Sequence, residues 1–99
     1  MLDLDEIIST LAQHKVRLRT EYCVNRIGVF GSYARGDQTA QSDIDFIVDF
    51  YADCSDFFDT KYRLKSFLTE LFHKRVDLAN HEAIKPYVME EISREIKYA

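Results

Sequence analysis

The sequence predicts an α/β protein of the α+β kind, with a small mixed sheet of about three strands, order 1-2-3, covered by helices. Three observations predict it. Apolar residues recur with helical period in the first, middle and last parts of the chain, and with a two-residue period in Asp43 to Phe50 (DIDFIVDF). The link between the first two strands is short, which suits antiparallel neighbours. The link between the second and third contains a full helix, which a parallel crossover requires.

The first helix is expected from about Asp3 to Leu18. Leu4, Ile7, Ile8 and Leu11 follow the i, i+3, i+4, i+7 pattern, and Asp3 with Glu6 resembles a capping box. Arg26 to Phe30 (RIGVF) reads as a short strand ending at Gly31-Ser32. A helical turn from Ser32 to Arg35, closed by Gly36, and a polar loop from Asp37 to Ser42 follow. In Asp43 to Phe50, Ile44, Phe46, Val48 and Phe50 share one face, and Asp43, Asp45, Ile47 and Asp49 share the other. Asp56 to His73 is a second amphipathic helix, with Phe57, Leu64, Phe67, Leu68 and Leu71 on its apolar side. Phe57, Phe58, Phe67 and Phe72 follow helical spacing and read as core rather than as a base-stacking platform. Arg75 to Ala79 (RVDLA) is a third strand. Pro86 starts a last helix, with Val88, Met89, Ile92 and Ile96 as its buried stripe.

At 99 residues, the chain reads as a single domain over 1–99. Its net charge of −4 and pI near 5.3 argue against stable nucleic-acid binding, which needs a basic surface. Cys23 and Cys54 have no metal-binding spacing and read as free thiols. The first residues are acidic and no apolar run reaches membrane-spanning length. The expectation is a cytoplasmic protein with no membrane partner.

The predicted topology gathers three segments. In the antiparallel pair, Gly31-Ser32 at the end of strand one meets Asp43 and Asp45 at the start of strand two. In the parallel pair, Asp77 joins the same corner, while Val76 and Leu78 point the other way. Three carboxylates on one face repel each other unless a cation binds them. Asp43, Asp45 and Asp77 are therefore candidate catalytic and metal-ligating residues. Their oxygen-only set favours Mg²⁺ or Mn²⁺, with room for two ions about 3.5–4 Å apart, as in two-metal phosphoryl-transfer sites. Gly31 lets backbone approach a phosphate, the amides of the following turn favour an anion, and Ser32 adds a hydroxyl donor. Arg35, one turn on, reaches toward a phosphate oxygen. Gly31, Ser32 and Arg35 are the nucleotide-binding candidates. For Arg35, the competing reading is a surface ion pair with Asp37 or another acid. Asp49, about 13 Å along the strand from Asp45, reads as solvated. His14, His73 and His81 are scattered and read as ordinary rim histidines.

A Gly-Ser pair alone is usually a turn, and an Asp-x-Asp alone is usually a solvated face. Here Gly31-Ser32, ten intervening residues, Asp43-Ile44-Asp45 and a third aspartate in the next strand occur together. This arrangement resembles the DNA polymerase beta-like nucleotidyltransferase superfamily. Within it, GSYARG followed by SDIDF resembles the minimal nucleotidyltransferases, with Asp77 in RVDLA at the later strand aspartate and a similar ending in EEISREIKYA. Asp37 departs from the small or hydroxyl residue of many relatives. Turned inward, it would weaken anion binding.

The resemblance implies a nucleotidyltransferase fold and an enzyme using ATP and two divalent ions. It implies AMP transfer to a tyrosine hydroxyl of a partner HEPN-domain toxin, for which the chain would be the antitoxin. The short sequence leaves little for an acceptor-binding lobe, in keeping with a protein partner. Two alternatives stand beside this reading. One is a non-catalytic module that neutralises a HEPN partner by occupancy. The other is an enzyme acting on a small-molecule or RNA acceptor.

Overall fold

The computed structural model describes residues 2–99. Its sheet has strands β1 (Val24–Phe30), β2 (Ile44–Phe50), β3 (Val76–Asn80) and β4 (Lys97–Tyr98) in the order β3-β2-β1-β4. β1 and β2 pair antiparallel, while β2 and β3 pair parallel. The mixed sheet and its 1-2-3 neighbours are as expected. The correction is a fourth strand, β4, antiparallel to β1 through Gly28 opposite Tyr98 and Val29 opposite Lys97. Two residues are too few to show a period, so β4 has no signature in the sequence.

The helices are α1 (Leu4–Gln13), α2 (Lys15–Tyr22), α3 (Ser32–Arg35), α4 (Phe57–Phe72) and α5 (Pro86–Ile92). The single helix expected over Asp3 to Leu18 is in fact two. Asp3 caps α1, its carboxylate accepting from the Glu6 amide at 2.9 Å. At His14 the backbone leaves helical geometry and the ring turns back to the Thr10 carbonyl. Leu18 stands seven residues after Leu11, a helical spacing, so the apolar series runs on across the break. α2 then runs on to Tyr22, whose ring stacks on Phe67 at 5.2 Å. Cys23, in the left-handed region at φ 56°, ends it.

Ile44, Phe46 and Val48 are fully buried against Ile7, Leu11, Leu64 and Leu68, as the period of β2 requires. Each such side chain contributes about 1.5–3 kcal/mol of transfer free energy. Phe57 and Phe67 pack against this core and Phe72 lies in it. Phe58 does not: it is 85% exposed, one residue round the helix from Phe57 and off the apolar stripe.

The last helix is also shorter than its apolar pattern. α5 ends at Ile92, Ile96 lies beyond it, and Val88, Met89, Ile92 and Ile96 are all only half-buried. After α5 the chain turns back across the sheet. A Cβ on Gly28 would lie 2.9 Å from Ile96 Cγ2 and 3.2 Å from the Lys97 carbonyl oxygen, so glycine is what permits this crossing. Ile47, opposite Gly28 and on the same face as Asp45, is buried there. The C-terminal segment thus overlies the sheet face that carries the aspartates.

Candidate active site

The candidate residues come from three elements that meet at one sheet corner. β1 ends with Phe30 opposite Asp45, and β2 places Asp45 opposite Asp77 of β3. Gly31 follows at φ 74°, ψ −152°, a conformation that residues with a side chain rarely adopt. A Cβ there would fall on the Asp45 carboxylate. α3 then runs from Ser32 to Arg35 and closes at Gly36 (φ 85°), as its sequence predicted.

Gly31, Ser32, Arg35, Asp43, Asp45 and Asp77 all line one open cleft of about 520 Å³. The loop before β2 is braced by Ser42, whose hydroxyl accepts from the Thr39 amide at 2.9 Å, and by Lys74 donating to the Ala40 carbonyl. The Ile44 amide bonds to the Arg75 carbonyl at 3.1 Å, which fixes Asp43 beside the start of β3. Asp49 lies away from the cleft and accepts from Asn25.

The electrostatics are those of crowded acids. The pKa of Asp45 is raised, first by burial and then by the charges of Asp77 and Asp43; Arg35 opposes this and Glu95 adds to it. Asp43 is paired with the exposed Arg75 at 3.1 Å. Among the described residues, no three acidic, imidazole or thiol groups already form a closed ligand set. The donor chemistry nonetheless fits a hard divalent cation. The groups are all carboxylates, and the partly buried Asp45 carries a destabilised charge that a cation would offset.

Two residues of the cleft carry no functional signal in the sequence. The local pattern marks Arg75 only as the start of a strand. It marks Glu95 only as part of a C-terminal helix, yet the Glu95 Oε1 accepts from the Gly31 amide at 3.2 Å. Arg35 meets both acids within its reach: its Nε donates to Asp37 at 3.2 Å and its Nη1 to Glu95 at 3.2 Å. Asp37, the departure from the pattern, therefore turns toward Arg35. Only the turn from Glu95 back to β4 could have revealed Glu95, and nothing periodic marks that turn.

Among the described residues, no helix is long and apolar enough to cross a membrane. The nucleotidyltransferase domain family matches residues 11–99. A protein adenylyltransferase, MntA, of Thermococcus cleftensis is 40% identical over 99 residues, covering 99% of this chain and 97% of that protein. A relative from Methanocaldococcus jannaschii, named a putative protein adenylyltransferase, is 41% identical over 101 residues, covering 99% of each. A solved minimal nucleotidyltransferase superposes with a TM-score of 0.79 at 29% identity, covering 97% of this chain and 95% of that one. A toxin–antitoxin structure with AMP-PNP superposes at 0.67 with 26% identity, covering 98% of this chain and 72% of that one. With the matched region spanning all four strands and the cleft between them, this chain belongs to the nucleotidyltransferase domain family, among its minimal nucleotidyltransferases.

Proposed function

We propose that this enzyme transfers AMP from ATP to a hydroxyl, a tyrosine, of a partner HEPN-domain toxin in the cytoplasm, and so acts as its antitoxin. The observation that carries the reading is the cleft itself. An amide, a hydroxyl and a guanidinium stand beside three carboxylates, two on adjoining strands and one just before β2. Support also comes from relatives of matching length named protein adenylyltransferases. Fold-level likeness to a toxin–antitoxin assembly points to a protein acceptor.

The division of labour follows from chemistry. Gly31 and Ser32 bind phosphate oxygens through an amide and a hydroxyl, and Arg35 adds a charged fork. Asp43, Asp45 and Asp77 would hold Mg²⁺ or Mn²⁺, two ions in all. That metal supplies a Lewis acid that offsets phosphate charge and acidifies a hydroxyl. Asp77, the most exposed of the three, would accept the acceptor's proton. The acceptor oxygen forms a bond to the α-phosphorus, the bond from that phosphorus to the β-phosphate oxygen breaks, and pyrophosphate leaves in line.

Intact-mass spectrometry of the partner after incubation with this protein and Mg-ATP tests the reading. One or more adenylate increments are expected, absent with Asp43→Ala/Asp45→Ala. One observation favours the occupancy reading instead: Glu95 already holds the Gly31 amide and Arg35. Equal silencing of the partner by the double variant, with no added mass, would establish that reading.

A further inference from the structure

The Glu95 carboxylate lies on the groups that would grip a phosphate. Its Oε1 accepts from the Gly31 amide at 3.2 Å and from Arg35 Nη1 at 3.4 Å, and its Oε2 accepts from Arg35 Nη1 at 3.2 Å. One backbone amide and one guanidinium sharing two oxygens of an anion is a typical phosphate donor set. The side chain is only 21% exposed, so it is seated in the cleft rather than waving over it.

The seat is electrostatically poor on its other side. Glu95 adds to the charge that burdens Asp45, in a cleft that already holds Asp43 and Asp77. Gly31 and Arg35 offset that repulsion. The backbone sets the aim. The Glu95 amide bonds to the Ile92 carbonyl at 2.9 Å, and Ala99 beyond it bonds to the Ile27 carbonyl at 3.0 Å. Glu95 therefore stands on a short span fixed at both ends, with only its side chain free to swing.

We propose that Glu95 is a built-in competitor for the phosphate site: its carboxylate occupies Gly31 and Arg35 until a polyphosphate displaces it. The inference rests on the reading of Gly31 and Arg35 as the phosphate cradle. A triphosphate brings more negative charge to the same donors than one carboxylate does, so the exchange runs toward the nucleotide. Arg35 need not be rebuilt when it happens. Asp37 holds its Nε at 3.2 Å, which keeps the other end of the fork aimed into the cleft. Every anion that uses the cradle binds more weakly by one common factor, the fraction of molecules in which Glu95 has vacated it.

The test uses the full chain labelled with ¹⁵N. Inorganic tripolyphosphate without metal, and then Mg-AMP-PNP, are titrated into the wild type and Glu95→Gln. In the apo variant the Gly31 amide resonance should move, and the dissociation constants of both ligands should fall by the same factor, about two- to fivefold. In the wild type, tripolyphosphate should shift Gly31 and Glu95 together, a result that needs no variant to fold. Unchanged or weaker binding in Glu95→Gln overturns the proposal. So does a wild-type titration in which Gly31 shifts and Glu95 does not. AMP transfer by the wild type decides the functional reading separately, since transfer can proceed whether or not Glu95 competes.

Discussion

Asp45 and Asp77 stand directly opposite one another in the parallel ladder between β2 and β3. The ladder forces the pair together: the crossover through α4 fixes the parallel register, and the register leaves both aspartates at the cleft. Without a cation, the charge on Asp77 is a cost that folding imposes on Asp45.

Asp45→Asn should therefore stabilise the metal-free protein. The folded-state pKa of Asp45 is raised above its ordinary 3.8. The folded state then holds the proton more tightly than the unfolded state, so stability falls as pH rises from that value through the folded pKa. The penalty is fully present at neutral pH and absent well below pH 3.8. In EDTA at pH 7, the variant should melt about 2–5 °C higher than the wild type, and the gap should close toward pH 3. With Mg²⁺ at a hundred times its dissociation constant, the wild type should gain about 2.7 kcal/mol, and the variant much less. A variant that melts lower than the wild type in EDTA at pH 7 would show that Asp45 is satisfied without a metal.

Much of this corner was legible in the sequence because two periods intersect there. The two-residue alternation of Ile44 to Phe50 fixes which face Asp45 takes, and the length of the β2–β3 link fixes the parallel neighbour that brings Asp77. Helix continuity was less legible. His14 breaks α1 from α2 through one ring-to-carbonyl bond, and Leu18 resumes the apolar series at a helical spacing that conceals the break. Glu95 was illegible for another reason. Its position depends on Ile96 and β4 packing across Gly28, a contact between residues far apart in the chain that no local pattern encodes.

Gly28→Ala tests that contact. The new methyl would meet the Ile96 side chain, which can shift, and the Lys97 carbonyl, which is backbone and cannot shift without loosening β4. A loss of about 1–3 kcal/mol is expected, read as a lower urea midpoint with an unchanged slope. Amide exchange should accelerate at Ala99, which bonds to the Ile27 carbonyl, more than at Phe46 in the central strand. Equal acceleration at both would mean that the methyl destabilises the whole sheet and not its C-terminal edge.

Ser32 and Asp77 line the same cleft but should fail in different ways when substituted. Ser32 opens α3 immediately after Gly31; on the proposed function its hydroxyl would meet a phosphate already present in the bound ground state. Removing it takes away binding that ground state and transition state share, so Ser32→Ala should weaken nucleotide affinity about fivefold and leave turnover of bound ATP nearly intact. Asp77 faces the cleft from β3 as the most exposed of the three carboxylates, where an incoming hydroxyl can reach it. A group that takes up a proton as the new bond forms contributes chiefly in the transition state. Asp77→Asn should accordingly lower single-turnover AMP transfer by about 10²–10⁴ while changing ATP affinity little. Single-turnover kinetics at saturating ATP, paired with equilibrium binding of Mg-AMP-PNP, separates the two effects. If Asp77→Asn abolished binding yet left the rate per bound ATP intact, Asp77 would be a ground-state ligand only, and the proton would have to leave by another route.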